Sequence, residues 1–144
     1  MTGFRCDELL RKAFELSDIY IKEGIGVISP VIDEHVRSLP TILEDRNDVE
    51  MAEIWEQDKR DIVISNVLVY EIPQKWSQGL VSELMYAREI KKPIVAVGTA
   101  GYIARVTHDY VAATHQEAAF VIKNRWGNPY HIFKSWFGVG IGVL

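Results

Sequence analysis

The strongest constraint on this chain is an alternation. Three short apolar runs, Gly26 to Ser29 (GVIS), Val67 to Tyr70 (VLVY) and Pro93 to Val97 (PIVAV), are separated by segments whose apolar residues recur at helical spacing. Runs this short cannot make helices, and their lack of polar alternation marks strands covered on both faces. Strand, helix, strand, helix, strand in this form predicts a three-layer, doubly wound α/β domain with a mostly parallel sheet. In such folds the ligand crevice lies beyond the carboxyl ends of the strands, which directs attention to the loops after Ser29, Ile72 and Val97.

The helical segments follow from periodicity. Asp7 is placed to cap a helix beginning near Glu8, with Leu10, Ala13, Phe14, Ser17 and Ile21 on one face and Gly24 ending it. A loop with His35 and Pro40 follows the first strand. Asn47 to Ile62 carries Met51, Trp55, Asp58 and Ile62 on a second face, with Asn47 and Glu50 spaced as a capping box. Gln78 to Ile90 carries Leu80, Leu84 and Ala87. A fourth helix is expected to start at Thr107 or Asp109 and to carry Val111, Ala118, Ala119 and Ile122, before a turn at Gly127, Asn128 and Pro129. The 144 residues contain no internal repeat or linker, so a single domain over 1–144 is expected.

Composition then narrows the function classes. With 16 Lys and Arg against 20 Asp and Glu, the net charge of −4 argues against a nucleic-acid polymer as partner, since that needs a broad basic face. The single cysteine, Cys6, cannot form an internal disulfide and suits a reducing cytoplasm. No apolar signal opens the chain, and the longest apolar stretch, Pro93 to Ala104, is too short to span a bilayer, so a soluble cytoplasmic protein with no membrane partner is expected. His108, His115 and His131 do not combine with acidic residues at a metal-ligand spacing; neither a metal nor another cofactor is anticipated.

Two carboxylates break the helical stripes. Glu83 falls three residues after Leu80 and four before Ala87, on the buried face of its helix, and Asp58 replaces an apolar residue between Trp55 and Ile62. Burial opposes ionisation while the nearby helix N-terminus favours it, so Glu83 has the setting of a desolvated oxygen nucleophile. A structural ion pair with Arg88, Lys91 or Lys92 is the competing explanation. Two carboxylates in separate environments are also how glycosidic bonds are cleaved.

The stretch DKRDIVISNVLVYEIPQKWSQGLVSELMYAREIKKPIVAV from Asp58 resembles the nucleoside 2-deoxyribosyltransferase superfamily, including its 2'-deoxynucleoside 5'-monophosphate N-hydrolases. The likeness lies in an Asp eight positions before the polar residue opening a strand (Asp58, Asn66), then a small-residue loop leading into Glu-Leu-x-x-Ala (Glu83, Leu84, Ala87). The resemblance implies a flavodoxin-like fold and Glu83 as the nucleophile that accepts the glycosyl group. It gives Asp58 the task of serving the base and its protonation, and Ser77 and Gly79 the place of the sugar or phosphate loop. Family members acting on free nucleosides carry an acidic residue where Ser77 stands. An Asp there would repel a 5'-phosphate, whereas a hydroxyl at a helix N-terminus attracts one; Ser77 is equally a natural helix N-cap. By the same likeness Thr2, Gly3 and Arg5 fall in a Gly-containing loop that meets the sugar or phosphate, a solvated N-terminal side chain being the alternative for Arg5. From their place in the chain, Ser29, Pro30 and His35 at a strand end and Trp76 are candidates for the base pocket, with a solvent-facing His35 and a packing role for Trp76 as the alternatives.

In that superfamily a central first strand precedes the position where this chain has Met1. Its absence predicts a gap between the strands at Gly26 and Val67. Either the chain is short at its N-terminus or the sheet is rearranged, or another segment fills the slot; FGVGIGVL in the tail is the spare strand-like run. Open strand edges and the aromatic residues Trp126, Tyr130, Phe133, Trp136 and Phe137 point to a homo-oligomer. The functional expectation is an N-glycosidase that cleaves the base from a (2'-deoxy)nucleoside 5'-monophosphate. The alternatives are a deoxyribosyltransferase passing the sugar to a second base, and a catalytically silent nucleotide-binding protein.

Overall fold

The apolar runs become the strands of one sheet, and the stripes become the helices that cover it. The computed structural model describes residues 2–29, 48–98, 108–126 and 131–134. Along the chain these are α1 (Thr2–Ile21), β1 (Gly26–Ile28), α2 (Asp48–Ile64), β2 (Val67–Glu71), α3 (Gln78–Glu89), β3 (Ile94–Val97), β4 (Tyr110–Ala112), α4 (His115–Arg125) and β5 (His131–Lys134). The sheet has five strands in the order β1-β5-β2-β3-β4, and every neighbouring pair is parallel.

Side chains alternate along β2 and so divide the core in two. Val67 and Val69 pack with Val95 and Val97 against Tyr20 of α1 and Ile25, which follows that helix, and against Ala118, Ala119 and Ile122 of α4. Leu68 and Tyr70 pack with Ile94 and Ala96 on the other face, against Ile62 of α2 and Leu80, Leu84 and Ala87 of α3. Burial of each large side chain contributes roughly 1.5–3 kcal/mol, which outweighs the weak preference of these short strands for extended backbone.

Several boundaries differ from the sequence expectations. Helix α1 begins at Thr2 instead of near Glu8, so Thr2, Gly3 and Arg5 stand in its first turn and not in a loop. Its buried face is Ala13, Ser17 and Tyr20; Phe14 and Ile21 are 52% and 56% exposed. They sit about 100° round the helix from Ala13 and Tyr20, enough to carry an apolar side chain out of the interface. Gly24, at φ 81°, then turns the chain toward β1. The fourth helix starts at His115, because residues 110–112 form β4. Asp109 stitches this strand to its neighbour: its carboxylate accepts from the Ile94 amide at 2.8 Å and its own amide donates to the Ile94 carbonyl at 2.7 Å. A three-residue strand leaves too short a trace to separate from the helical stripe that follows.

The slot between β1 and β2 is filled from within the chain. β5 lies there, with Ile132 opposite both Val27 and Val67. FGVGIGVL, Asn47, Pro30, His35, Pro40 and the turn at 127–129 lie outside the described residues. With β5 in place, β1 and β4 are the edges of the sheet, and the open central edge that suggested oligomerisation does not arise among the described strands.

Candidate functional site

Because the strands are all parallel, their carboxyl ends gather on one side: Ser29 after β1, Glu71 closing β2, Gly98 after β3 and Thr114 after β4. Glu71 leads through residues 72–77 into α3. Ser77 is the N-cap of α3, its backbone extended at φ −105° and ψ 156°, and its Oγ accepts the Leu80 amide at 3.2 Å. The hydroxyl therefore satisfies one of the orphan amides of the first turn. Gly79 is the second helical residue, in the same N-terminal turn.

One turn further along α3, Glu83 is fully buried at 0% exposure, on the face it shares with Leu80, Leu84 and Ala87. Asp58 on α2 is 3% exposed, and both helices cover the same face of the sheet. The positions that broke the helical stripes are thus buried carboxylates. Of the cations offered as structural partners for Glu83, Arg88 pairs with Asp109 at 3.1 Å and Lys92 donates to the Val63 carbonyl at 3.1 Å. A third buried acid, Asp61, accepts from Gln57 Nε2 at 2.8 Å and was not singled out from the sequence. Its position three residues after Asp58 is the signal that could have found it.

The base-pocket candidates divide. Ser29 is buried, and its Oγ has no hydrogen-bond partner among the described residues. Trp76 is 41% exposed and tilts against Tyr70, ring centroids 6.0 Å apart. Trp55 instead packs edge-on to Tyr86 at 6.1 Å, with Lys59 over its ring. The side chains of Thr2 and Arg5 and the surroundings of Gly3 are outside what the structure describes, as are Pro30 and His35.

On the opposite face the structure assembles a constellation the sequence did not disclose. Tyr20 Oη lies 2.6 Å from His115 Nδ1, His115 Nε2 lies 2.8 Å from Glu71 Oε1, and Lys12 Nζ lies 3.6 Å from Glu71 Oε2. Burial, reinforced by the charge of Glu71, pushes the Tyr20 hydroxyl far above its ordinary pKa, so the phenol keeps its proton. With the imidazole proton on Nε2, Tyr20 donates to Nδ1 and His115 donates to Glu71, satisfying all three groups. The chain links α1, the end of β2 and the start of α4. Thr114-His115-Gln116-Glu117 carries the S/T-x-x-E signature of a helix start: Thr114 Oγ1 accepts the Glu117 amide at 3.1 Å. That signature could have placed His115 at the carboxyl edge.

Among the described residues no three His, Cys, Asp or Glu side chains are grouped to hold a metal ion. Nor is any described helix long and apolar enough to cross a membrane. No protein-family description, curated protein or solved structure matches this chain.

Proposed function

We propose that this protein is an N-glycosidase acting on a (2'-deoxy)nucleoside 5'-monophosphate, with Glu83 as nucleophile. The observation that carries this reading is the complete burial of Glu83 one turn inside α3, on a helix whose N-terminus opens at the carboxyl edge of the sheet. Helix interiors rarely spend a fully buried position on a carboxylate, because desolvation opposes its charge. Asp58 on the neighbouring helix, buried on the same sheet face, supplies the second carboxylate that glycosidic cleavage requires.

The strand order supports the same reading. We read β1-β5-β2-β3-β4 as the doubly wound, flavodoxin-like order 2-1-3-4-5, with the central first strand contributed by the last described element. The ligand crevice of that arrangement opens at the switch between β5 and β2, from which Glu71 and the loop to Ser77 depart.

In the proposed reaction a Glu83 oxygen bonds to the anomeric carbon as the bond from that carbon to the base nitrogen breaks. Asp58 gives the departing base its proton. Water then attacks the glycosyl ester, returning a proton to Asp58 and releasing the sugar phosphate. The amides of the first turn of α3 and the Ser77 hydroxyl proton serve the 5'-phosphate. The buried Ser29 hydroxyl is available to the base. Since Glu83 is fully covered, side chains above it must move when substrate enters.

A panel of nucleoside monophosphates and nucleosides, with free bases resolved by chromatography, tests this reading. Base release from deoxynucleoside monophosphates, lowered about a thousandfold or more in Glu83→Gln, is the expected result. Undiminished release in that variant removes Glu83 from the mechanism, and incorporation of an added base identifies a transferase. Ser77→Asp sharpens the phosphate assignment because Asp also caps helices well: it should weaken monophosphates far more than nucleosides, and equal losses would leave Ser77 with a capping role alone. We also propose a homo-oligomer. Phe14 on α1 and Phe120 on α4, helices covering the same face, are both more than half exposed. Sedimentation of the active protein as a monomer would exclude it.

A further inference from the structure

The amino edge of the sheet, opposite the candidate catalytic site, holds a cleft of about 310 Å³ lined by Arg88, Lys91, Lys92, Asp109, Arg125 and Trp126. Four cations face one carboxylate in a protein whose net charge is −4. The single carboxylate is already neutralised, with both Asp109 oxygens within 3.3 Å of Arg88 Nη1. Neither Lys91 nor Arg125 has a carboxylate partner among the described residues; Arg125 lies over the Trp126 ring, 5.3 Å from its centroid.

Helix C-termini attract cations, and α3 and α4 both end here, which accounts for Arg88 and Arg125 in their last turns. It does not account for Lys91. The Lys92 amide donates to the Ala87 carbonyl at 2.8 Å and the Lys91 amide to Arg88 at 3.1 Å, the bonds of a Schellman turn. Lys91 occupies the left-handed position of that turn at φ 61°, where glycine is the residue without strain. A lysine held there at a cost in backbone energy keeps a cation pointed at the cleft that the dipole alone does not require.

We propose that this cleft binds the phosphate group of a small anionic ligand, with Lys91 and Arg125 as its principal charge partners and the Arg88–Asp109 pair as its fixed wall. The volume is at the lower end of small-ligand pockets and suits a phosphate with little more attached. A second cavity, about 500 Å³, adjoins through the shared Arg88 and Asp109 and gives room for a nucleoside beyond the phosphate. The site is independent of the Glu83 assignment.

Titration calorimetry of the full chain with inorganic pyrophosphate, at fixed ionic strength, tests the proposal. The expected result is saturable binding that Lys91→Gly weakens about tenfold, and that Lys91→Gly with Arg125→Gln weakens further. Lys91→Gly relieves the left-handed strain, so its melting temperature should rise; weaker binding by a more stable protein cannot be attributed to unfolding. Lys59→Gln, which removes the same charge from an i,i+3 pair with Glu56 on α2, should leave the affinity unchanged. Adenosine diphosphate in a parallel arm separates the two sources of the phosphate: binding tighter than pyrophosphate, and lost in the same variants, assigns a nucleotide, whereas equal affinity assigns the inorganic ion. Absence of saturable pyrophosphate binding, affinity unaltered in Lys91→Gly, or an equal loss in Lys59→Gln would each overturn the proposal.

Discussion

The two faces of the sheet bury polar groups in different ways. Beneath α1 and α4, Lys12, Glu71, His115 and Tyr20 form a chain in which cation, anion, imidazole and phenol each meet a complementary partner. Beneath α2 and α3 the buried ionisable groups are of one sign: Asp58, Asp61 and Glu83. A balanced chain knits elements together, since removing one member strands the next without a partner. Burying a carboxylate costs desolvation, which the hydrogen bonds and charges around it must offset. The first pattern serves architecture; the second is the one on which the proposed glycosidase reading rests.

That contrast breaks or holds on the stability of variants. The largest loss is expected from Tyr20→Ala, which removes a fully buried aromatic and its hydrogen bond to His115 at once; urea denaturation should show about 3–5 kcal/mol. Tyr20→Phe keeps the ring and leaves His115 Nδ1 without its donor, a loss of about 1–2 kcal/mol.

Tyr20 also sets a pH dependence. Its folded-state pKa is raised above the ordinary value near 10, so the stabilisation it supplies is complete below that pH and declines as the unfolded chain begins to ionise above it. Denaturation midpoints should therefore fall from about pH 10 upward. In Tyr20→Phe the decline should be shallower, and an unchanged slope would assign the alkaline loss to other groups.

On the carboxylate face the effect on stability should be small or reversed. Glu83→Gln is expected to melt within about 1 kcal/mol of the parent or above it, since it removes a buried charge and keeps the shape. A loss of 3 kcal/mol or more, in the range of a broken buried ion pair, would make Glu83 as structural as His115 and dissolve the contrast. The smallest effect belongs to Lys91→Gly, a gain of about 0.5–1 kcal/mol from the relaxed left-handed turn.

The carboxylate face was legible in the sequence because helical periodicity is local. Leu80, Glu83, Leu84 and Ala87 declare a common face by spacing alone, and an acid within that stripe stands out. The imidazole chain was not legible, since Tyr20 and His115 are separated by 95 positions and meet only once α1 and α4 lie on the same sheet face. Nothing in the residues around either one specifies the other.

The chain's own pattern determined the α/β alternation, the buried runs at Val67 and Ile94 and the stripe on α3, whereas the expected gap between β1 and β2 came from the superfamily resemblance. The alternation, runs and stripe follow from the period of each element and from the reach of a few neighbouring residues. Only the tertiary structure decided that His131–Lys134 fills the gap. His-Ile-Phe-Lys has two apolar residues between polar ends, too little to declare a central strand in isolation. Its place is fixed by backbone hydrogen bonds to strands on both sides, an opportunity that exists only after β1 and β2 have taken their positions.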